Sequence, residues 1–268
     1  MTSRAIFITG AASGIGKATA HLFAQRGWLV GVFDIDADGI ETVLSELDGL
    51  AVFGHRLDVR DPLQWEQALA AFLEISGGRL DLLFNNAGVA AAGWFEDIPP
   101  AISRDMVEIN LLGTMNGVYA CREALTETPG ARIVNNGSVL ALQGPPFGAV
   151  YGATKAAILS LSESLEMELG RDDIGVSILL PSQVDTPLID RPSFTAMEGS
   201  LRDGPLTSPE VLAEAVWDCT KKNRLYVPVG RGTGFYRQLV RWFPGFIRWI
   251  TRRLFREKIS KANEIETP

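Results

Sequence analysis

Along the chain, short apolar runs alternate with longer stretches whose apolar positions recur every three to four residues. The runs predict seven strands, at Ala5–Thr9, Leu29–Asp34, Ala51–Leu57, Leu80–Asn85, Arg132–Asn136, Val176–Leu180 and Leu225–Val229. The periodic stretches predict helices at Gly14–Gln25, Ala37–Leu47, Pro62–Ile75, Ala101–Thr126, Tyr151–Leu169 and Pro209–Lys221. Asp61-Pro62 and Ser208-Pro209 each place a capping side chain before a proline at the first helical position. Strands such as Ala5-Ile6-Phe7-Ile8 are apolar throughout rather than alternating, as a strand covered on both faces must be. The alternation predicts an α/β fold, a doubly wound parallel sheet with helices on both faces. The stretch from Thr186 to Thr207, rich in proline, glycine and serine, breaks the alternation and reads as a flap over a site.

Composition narrows this picture. The 268 residues are 46% hydrophobic and 21% charged, enough for one sizeable core. Residues 1–230 read as one dinucleotide-binding and catalytic domain, with 231–268 as an extension. The net charge of −7 argues against a nucleic-acid partner. Met1-Thr2-Ser3-Arg4 leads straight into an apolar strand without the features of a signal peptide, and no apolar run is long enough to cross a bilayer. The two cysteines, Cys121 and Cys219, are far apart, which fits a reducing cytoplasm. His21 and His55 have no partners at ligand spacing, so no metal site is expected.

Candidate chemistry gathers at the ends of the predicted strands. The first runs into Thr9-Gly10-Ala11-Ala12-Ser13-Gly14-Ile15-Gly16 and then a helix. Glycines there let the backbone approach a pyrophosphate, and the helix N-terminus offers N–H donors and a positive dipole end. Asp34 ends the second strand, 18 residues past Gly16, where a carboxylate accepts ribose hydroxyls and repels a 2′-phosphate. A capping role is open to Asp34 as well, although Asp36 or Asp38 would also serve there. Asp58-Val59 ends the third strand and Asn85-Asn86-Ala87-Gly88 the fourth. Tyr151 and Lys155, four residues apart, share one helix face. A tyrosine becomes a base near neutral pH only if its phenolate is favoured by about 4 kcal/mol. An ammonium at close range in a poorly solvated cleft supplies energy of that order, so Lys155 is expected to lower the Tyr151 pKa.

Together these residues resemble the short-chain dehydrogenase/reductases of the single-domain branch. The similarity covers roughly Ile6 to Val229 and rests on Thr9–Gly16, Asn85–Gly88, Asn110, Ser138, Tyr151, Lys155 and Pro181–Thr186 in the family's order. It implies a Rossmann fold with strand order 3-2-1-4-5-6-7 and interconversion of an alcohol and a ketone by a nicotinamide cofactor, which Asp34 makes NAD rather than NADP. It implies that Ser138 holds the substrate oxygen, that Tyr151 transfers the proton, and that Lys155 holds the nicotinamide ribose. Asn110 would position a water that relays protons from Lys155. Cofactor contacts are expected from Gly10, Ser13, Gly14, Ile15, Gly16, Asp34, Ile35, Asp58, Val59, Asn86, Ala87, Gly88, Tyr151, Lys155, Pro181, Val184 and Thr186, the last at the carboxamide. Pro181-Ser182 departs from the family's Pro-Gly and adds bulk beside the nicotinamide. A homodimer or homotetramer is implied, with Ala153, Ala156 and Ala157 offering a small-residue face.

The substrate side is expected to include Ser138, Leu140, Phe147, Gln183 and Ile189. Its apolar character favours a small hydrophobic alcohol or ketone. The competing readings are a non-catalytic dinucleotide sensor on the same fold, an NADP-dependent ketone reductase, and a longer-branch epimerase relative. An intact Asn110, Ser138, Tyr151 and Lys155 set counts against the sensor, and the chain is too short for the epimerase's substrate domain. In the extension, Leu239, Trp242, Phe243, Phe246, Ile247, Ile250 and Leu254 recur at helical spacing, while Arg237, Arg241, Arg248 and Arg252 lie off that stripe. Pro244 should kink or split the helix. The stripe meets either an anionic membrane surface or protein, since hydrophobic periodicity does not distinguish the two.

Overall fold

The structure is a computed structural model that describes residues 3–185 and 206–265, with side chains described as far as Arg256. Seven parallel strands form one sheet: β1 Ala5–Thr9, β2 Leu29–Asp34, β3 Val52–Arg56, β4 Leu82–Asn85, β5 Arg132–Asn136, β6 Gly175–Pro181 and β7 Tyr226–Val229. Their order is β3-β2-β1-β4-β5-β6-β7. The switch falls between β1 and β4, where the chain leaves one half of the sheet for the other and a crevice opens at the strands' carboxyl ends.

Helices α1 Gly14–Gln25, α2 Ala37–Glu46, α3 Pro62–Ser76, α4 Pro100–Met106, α5 Gly113–Glu127, α6 Ala149–Leu169 and α7 Pro209–Cys219 connect the strands. Alternate strand residues feed two main cores, with a smaller third cluster at Ile158, Ile178 and Leu180. Phe7, Phe33 and Leu83 face α3 and α5, packing with Trp65, Phe72, Cys121 and Leu125. Ile6, Ile8, Val30 and Val32 face the opposite layer, with Phe23, Val43 and Val216. The first core is largely aromatic: the Phe7 ring stacks on Phe33 at 3.6 Å, with Trp65 at 5.3 Å and the Phe72 edge at 5.7 Å. Asp61 caps α3 by accepting from Leu63 N and Gln64 N, with Pro62 at the first helical position.

The single helix expected over 101–126 differs in one respect. Between α4 and α5, Val107–Leu112 winds as a π-helical turn. Such a turn accommodates one extra residue and is common at functional sites. Here the wide turn carries Asn110, which is completely buried. The extension forms two helices, α8 Thr233–Trp242 and α9 Pro244–Ile265, split at Pro244 as its missing N–H requires. Of the expected 186–207 flap, the part from 186 to 205 lies outside the described residues. Its flanks, Val184 and Thr207, meet in a parallel bridge at the sheet's carboxyl edge.

Candidate active site

Two cavities meet at the carboxyl ends of the strands. The first, about 220 Å³, is bordered by Gly10, Ser13, Gly14, Ile15, Asp34, Ile35, Asp58, Val59 and Asn86–Gly88. The second, about 350 Å³, is bordered by Ala90–Ala92, Ser138–Leu140, Pro145, Pro146, Tyr151, Lys155, Pro181, Gln183 and Val184. Ile15, Asn86, Gly88 and Asn136 border both.

The first cavity has a tightly built floor. Thr9 Oγ1 accepts from Asn86 N and Ala87 N, each at 3.0 Å, and Asn86 Nδ2 donates to the Thr9 and Gly10 carbonyls. Gly10 has φ +64°, and a Cβ there would lie 2.8 Å from Ala87 Cα. A Cβ on Gly16 would collide with the Gly10 carbonyl. Ser13, the N-cap of α1, makes no capping bond of its own, so the first N–H groups of that helix face the crevice without one. This is a cradle for a pyrophosphate. Asp34 is held at its edge, accepting from Ala12 N at 3.0 Å and Asp36 N at 3.1 Å. The cap of α2 comes from Asp36 instead, which accepts from Gly39 N. Arg60, the one cation bordering this cavity among the described residues, is forked onto Asp58 at 2.7–3.1 Å, and that pairing holds the Asp58 carboxyl below its usual range.

At the second cavity, the buried Lys155 ammonium donates to the Asn136 carbonyl at 2.7 Å. It lies 5.7 Å from the Tyr151 ring centre. The expected depression of the tyrosine does not arise from protein groups alone. Burial pushes the Tyr151 phenol up to about 12, with its Ser138 hydrogen bond pulling the other way. The ring is half-buried and borders open cavity space. Lys155 is itself lowered to about 8 by burial. The physical reason is desolvation: a neutral phenol tolerates a dry wall, and a single ammonium pointed at a carbonyl does not offset that preference.

The Asn110 side chain is fully engaged by protein groups. Its Oδ1 accepts from Val89 N at 2.8 Å, and its Nδ2 donates to the Val89 carbonyl and to Thr154 Oγ1. The side-chain amide therefore clamps the segment after β4 onto α6, instead of pointing a free group at solvent. A Cβ on Gly88 would lie 3.2 Å from Asn110 Oδ1 and 3.8 Å from Lys155 Nζ, so this glycine is what lets the two groups approach one spot.

Leu140 and Gln183 border the second cavity as expected of substrate residues. Phe147 does not. It adopts φ +60°, uncommon for a bulky residue, and its ring packs between Trp94 at 4.9 Å and Phe255 at 5.2 Å. The neighbouring Pro145, Pro146 and Gly148 form the wall in its place. Ser182 borders the second cavity, and its Oγ lies 3.4 Å from Thr207 Oγ1. Thr186 and Ile189 lie outside the described residues. Asn136 was missed from sequence. Its carbonyl holds Lys155, its amide donates to Asn86 Oδ1 at 3.0 Å, and its Oδ1 is buried without a hydrogen-bond partner among the described residues. The signal was there to read: Asn-Asn ends β5 and straddles the end of β4, and Asn85 pairs with Asn135 across the two strands.

The sequence pattern of the short chain dehydrogenases matches residues 4–193. The chain belongs to the short-chain dehydrogenase family. This short-chain dehydrogenase is 35% identical, over 222 residues, to a cis-4-hydroxycyclohexanecarboxylate dehydrogenase of Sinomonas cyclohexanicum, covering 80% of this chain and 87% of that one. Among solved structures, it is similar to a short-chain dehydrogenase/reductase of Burkholderia phymatum in complex with NAD, with 28% identity, a TM-score of 0.81, and coverage of 88% of this chain and 92% of that one. An actinorhodin polyketide ketoreductase with NADPH gives a TM-score of 0.78 at 29% identity, covering 87% and 97%. Nicotinamide dinucleotides of both kinds thus occur among the relatives of this short-chain dehydrogenase, an oxidoreductase by family. Among the described residues no helix is long and apolar enough to cross a membrane, and no three His, Cys, Asp or Glu side chains group as a metal site.

Proposed function

We propose that this short-chain dehydrogenase interconverts an apolar secondary alcohol and its ketone, using NAD(H). The observation that carries the reading is the convergence of Ser138, Tyr151 and Lys155 on one cavity that opens beside the dinucleotide cradle. The residues fit the cofactor. The Gly10–Gly16 turn leaves space that a Cβ would fill, the α1 N-terminus lacks a side-chain cap, and Asn136 carries an acceptor with no partner among the described residues where the two cavities meet. Bound NAD supplies the hydride acceptor, and its oxidised ring adds a positive charge to the site. Tyr151 takes the hydroxyl proton as the alcohol is oxidised and returns it when the ketone is reduced. Ser138 donates to the substrate oxygen, where charge develops. Lys155, protonated at neutral pH and anchored by Asn136, holds the nicotinamide ribose and provides the second positive charge that brings the Tyr151 proton within reach.

Three features support NAD over NADP. Asp34 is fixed at the cradle's edge by two backbone N–H groups. Lys17, the nearby cation in α1, is tied to Glu46 at 2.8 Å. Arg60 is neutralised by Asp58. An apolar substrate suits a cavity walled by three alanines, three prolines, Val139, Leu140 and Val184 opposite Ser138 and Tyr151. A homodimer or homotetramer is proposed as well, since Ala153, Ala156, Tyr119 and Met167 leave small and apolar surface exposed on α5 and α6.

The test is a screen of NAD reduction by apolar secondary alcohols, followed by absorbance at 340 nm, with Tyr151→Phe beside the wild type. Wild-type turnover is expected, with a loss of at least about a hundredfold in Tyr151→Phe, the usual weight of a lost general acid/base. NADH affinity should be nearly unchanged. A Tyr151→Phe enzyme that retained most of its turnover would remove the tyrosine from the chemistry.

A further inference from the structure

Helix α9 has two unlike faces. On one, Ile247 is buried, Thr251 Oγ1 accepts from Gln143 Nε2 at 3.1 Å, and Phe255 joins the Trp94 and Phe147 rings. These positions are four residues apart and form one edge, which docks on the loop before α6. The stripe seen in sequence therefore divides: its member Ile247 is buried against protein, while Trp242, Phe243 and Phe246 are left exposed. On the other face, Phe246 and Trp249 stack at 6.2 Å, and Arg252, Arg253 and Arg256 fall on the same side. Trp242 and Phe243, at the α8–α9 joint, are exposed as well. Trp242, Phe243, Phe246 and Trp249 are 70, 58, 57 and 56% exposed. Large apolar side chains exposed this close together along the chain point to an interaction surface.

We propose that this face docks on the surface of an anionic lipid bilayer. The charge pattern chooses the occupant. From Arg231 to Arg256 there is no acidic residue, and Arg231–Lys258 carries a net +7 while the rest of the chain carries −14 of the total −7. An anionic plane attracts this face and repels the remainder, which sets one orientation. Two copies meeting symmetrically through the same patch would press like charges together. Tryptophans flanked by arginines suit the boundary between headgroups and acyl chains, where an indole buries its ring and keeps its N–H wet. Not every arginine is available, since Arg237 lies over the Tyr226 ring at 3.6 Å. Because the docked edge of α9 braces the loop carrying Pro145, Pro146 and Gly148, the bilayer would lie one helix, about 10 Å, from the wall of the second cavity.

The experiment is co-sedimentation of the full-length protein with vesicles of phosphatidylcholine, with and without 30% phosphatidylglycerol, at 0.15 M and 0.5 M salt. Binding is expected only to the phosphatidylglycerol vesicles, with release at the higher salt. The variant Trp242→Ser/Phe246→Ser/Trp249→Ser, altered only at exposed positions, should lose at least tenfold in partitioning while keeping the wild-type circular dichroism spectrum. Arg252→Glu/Arg256→Glu should lose as much, and provides a second reading if the aromatic variant misfolds. The proposal is overturned by absence of wild-type binding, by equal binding to phosphatidylcholine alone, or by folded variants that bind as the wild type does. Absence of vesicle binding together with a change of mass in the aromatic variant by light scattering would assign the face to a protein contact instead.

Discussion

Lys155→Met separates the cost of a buried charge from its use. In the native protein the ammonium is buried and its pKa falls from 10.5 to about 8. Burial therefore disfavours the charged form by about 3 kcal/mol at neutral pH. Removing the side chain relieves that cost but leaves the Asn136 carbonyl without its donor, a loss of about 1–3 kcal/mol. The two nearly cancel, so the variant should be within about 2 kcal/mol of wild-type stability at pH 7 while losing activity and ribose binding. The sign of the pH dependence is the sharper measurement. The folded pKa is depressed, so between about 8 and 10.5 the unfolded chain binds more protons, and stability gained from deprotonation rises with pH. Integrated from pH 7 to pH 9.5, this contributes about 2 kcal/mol to the wild type and nothing to Lys155→Met. Other lysines and tyrosines titrate in the same range, and they cancel in the difference between the two proteins. Urea unfolding at both pH values, followed by circular dichroism, measures it. An equal change in wild type and variant would show that Lys155 is not desolvated, and the argument from its burial would fail.

Asp34→Ala should narrow an NAD preference of at least tenfold, about 1.4 kcal/mol, as measured by kcat/KM with each cofactor, and comparable efficiency of the wild type with both would refute the repulsion argument. Phe7→Ala should cost about 3–5 kcal/mol in urea unfolding, because Phe7 is fully buried among Phe33, Trp65 and Phe72; a cost below 1 kcal/mol would mean that this core repacks freely. Light scattering of the wild type should show a dimer or tetramer, and a monomer alone would rule out the proposed α5–α6 contact.

Much of the architecture was legible from local pattern. Uninterrupted apolar runs marked strands buried on both faces, and β1, β2 and β5 begin and end where the runs do. The Gly10–Gly16 turn was readable because glycine has a local steric meaning at a strand-to-helix junction. The spacing of Tyr151 and Lys155 put them on one helix face, since i and i+4 are neighbours on any α-helix. Tertiary structure alone decided what those side chains meet. The acceptor for Lys155 is a carbonyl on β5, 19 residues away, and the partners of Asn110 come from the segment after β4 and from α6. The direction of the Tyr151 shift followed from how much water its surroundings exclude, which a spacing does not encode. Phe147 reads from composition as a pocket wall, but a left-handed backbone turned its ring toward Trp94 and Phe255. Likewise, hydrophobic periodicity placed Ile247 and Phe246 in one apolar stripe. Only docking of α9 on the loop before α6 buried the first and left the second in water, because periodicity records which positions are apolar and not what covers them.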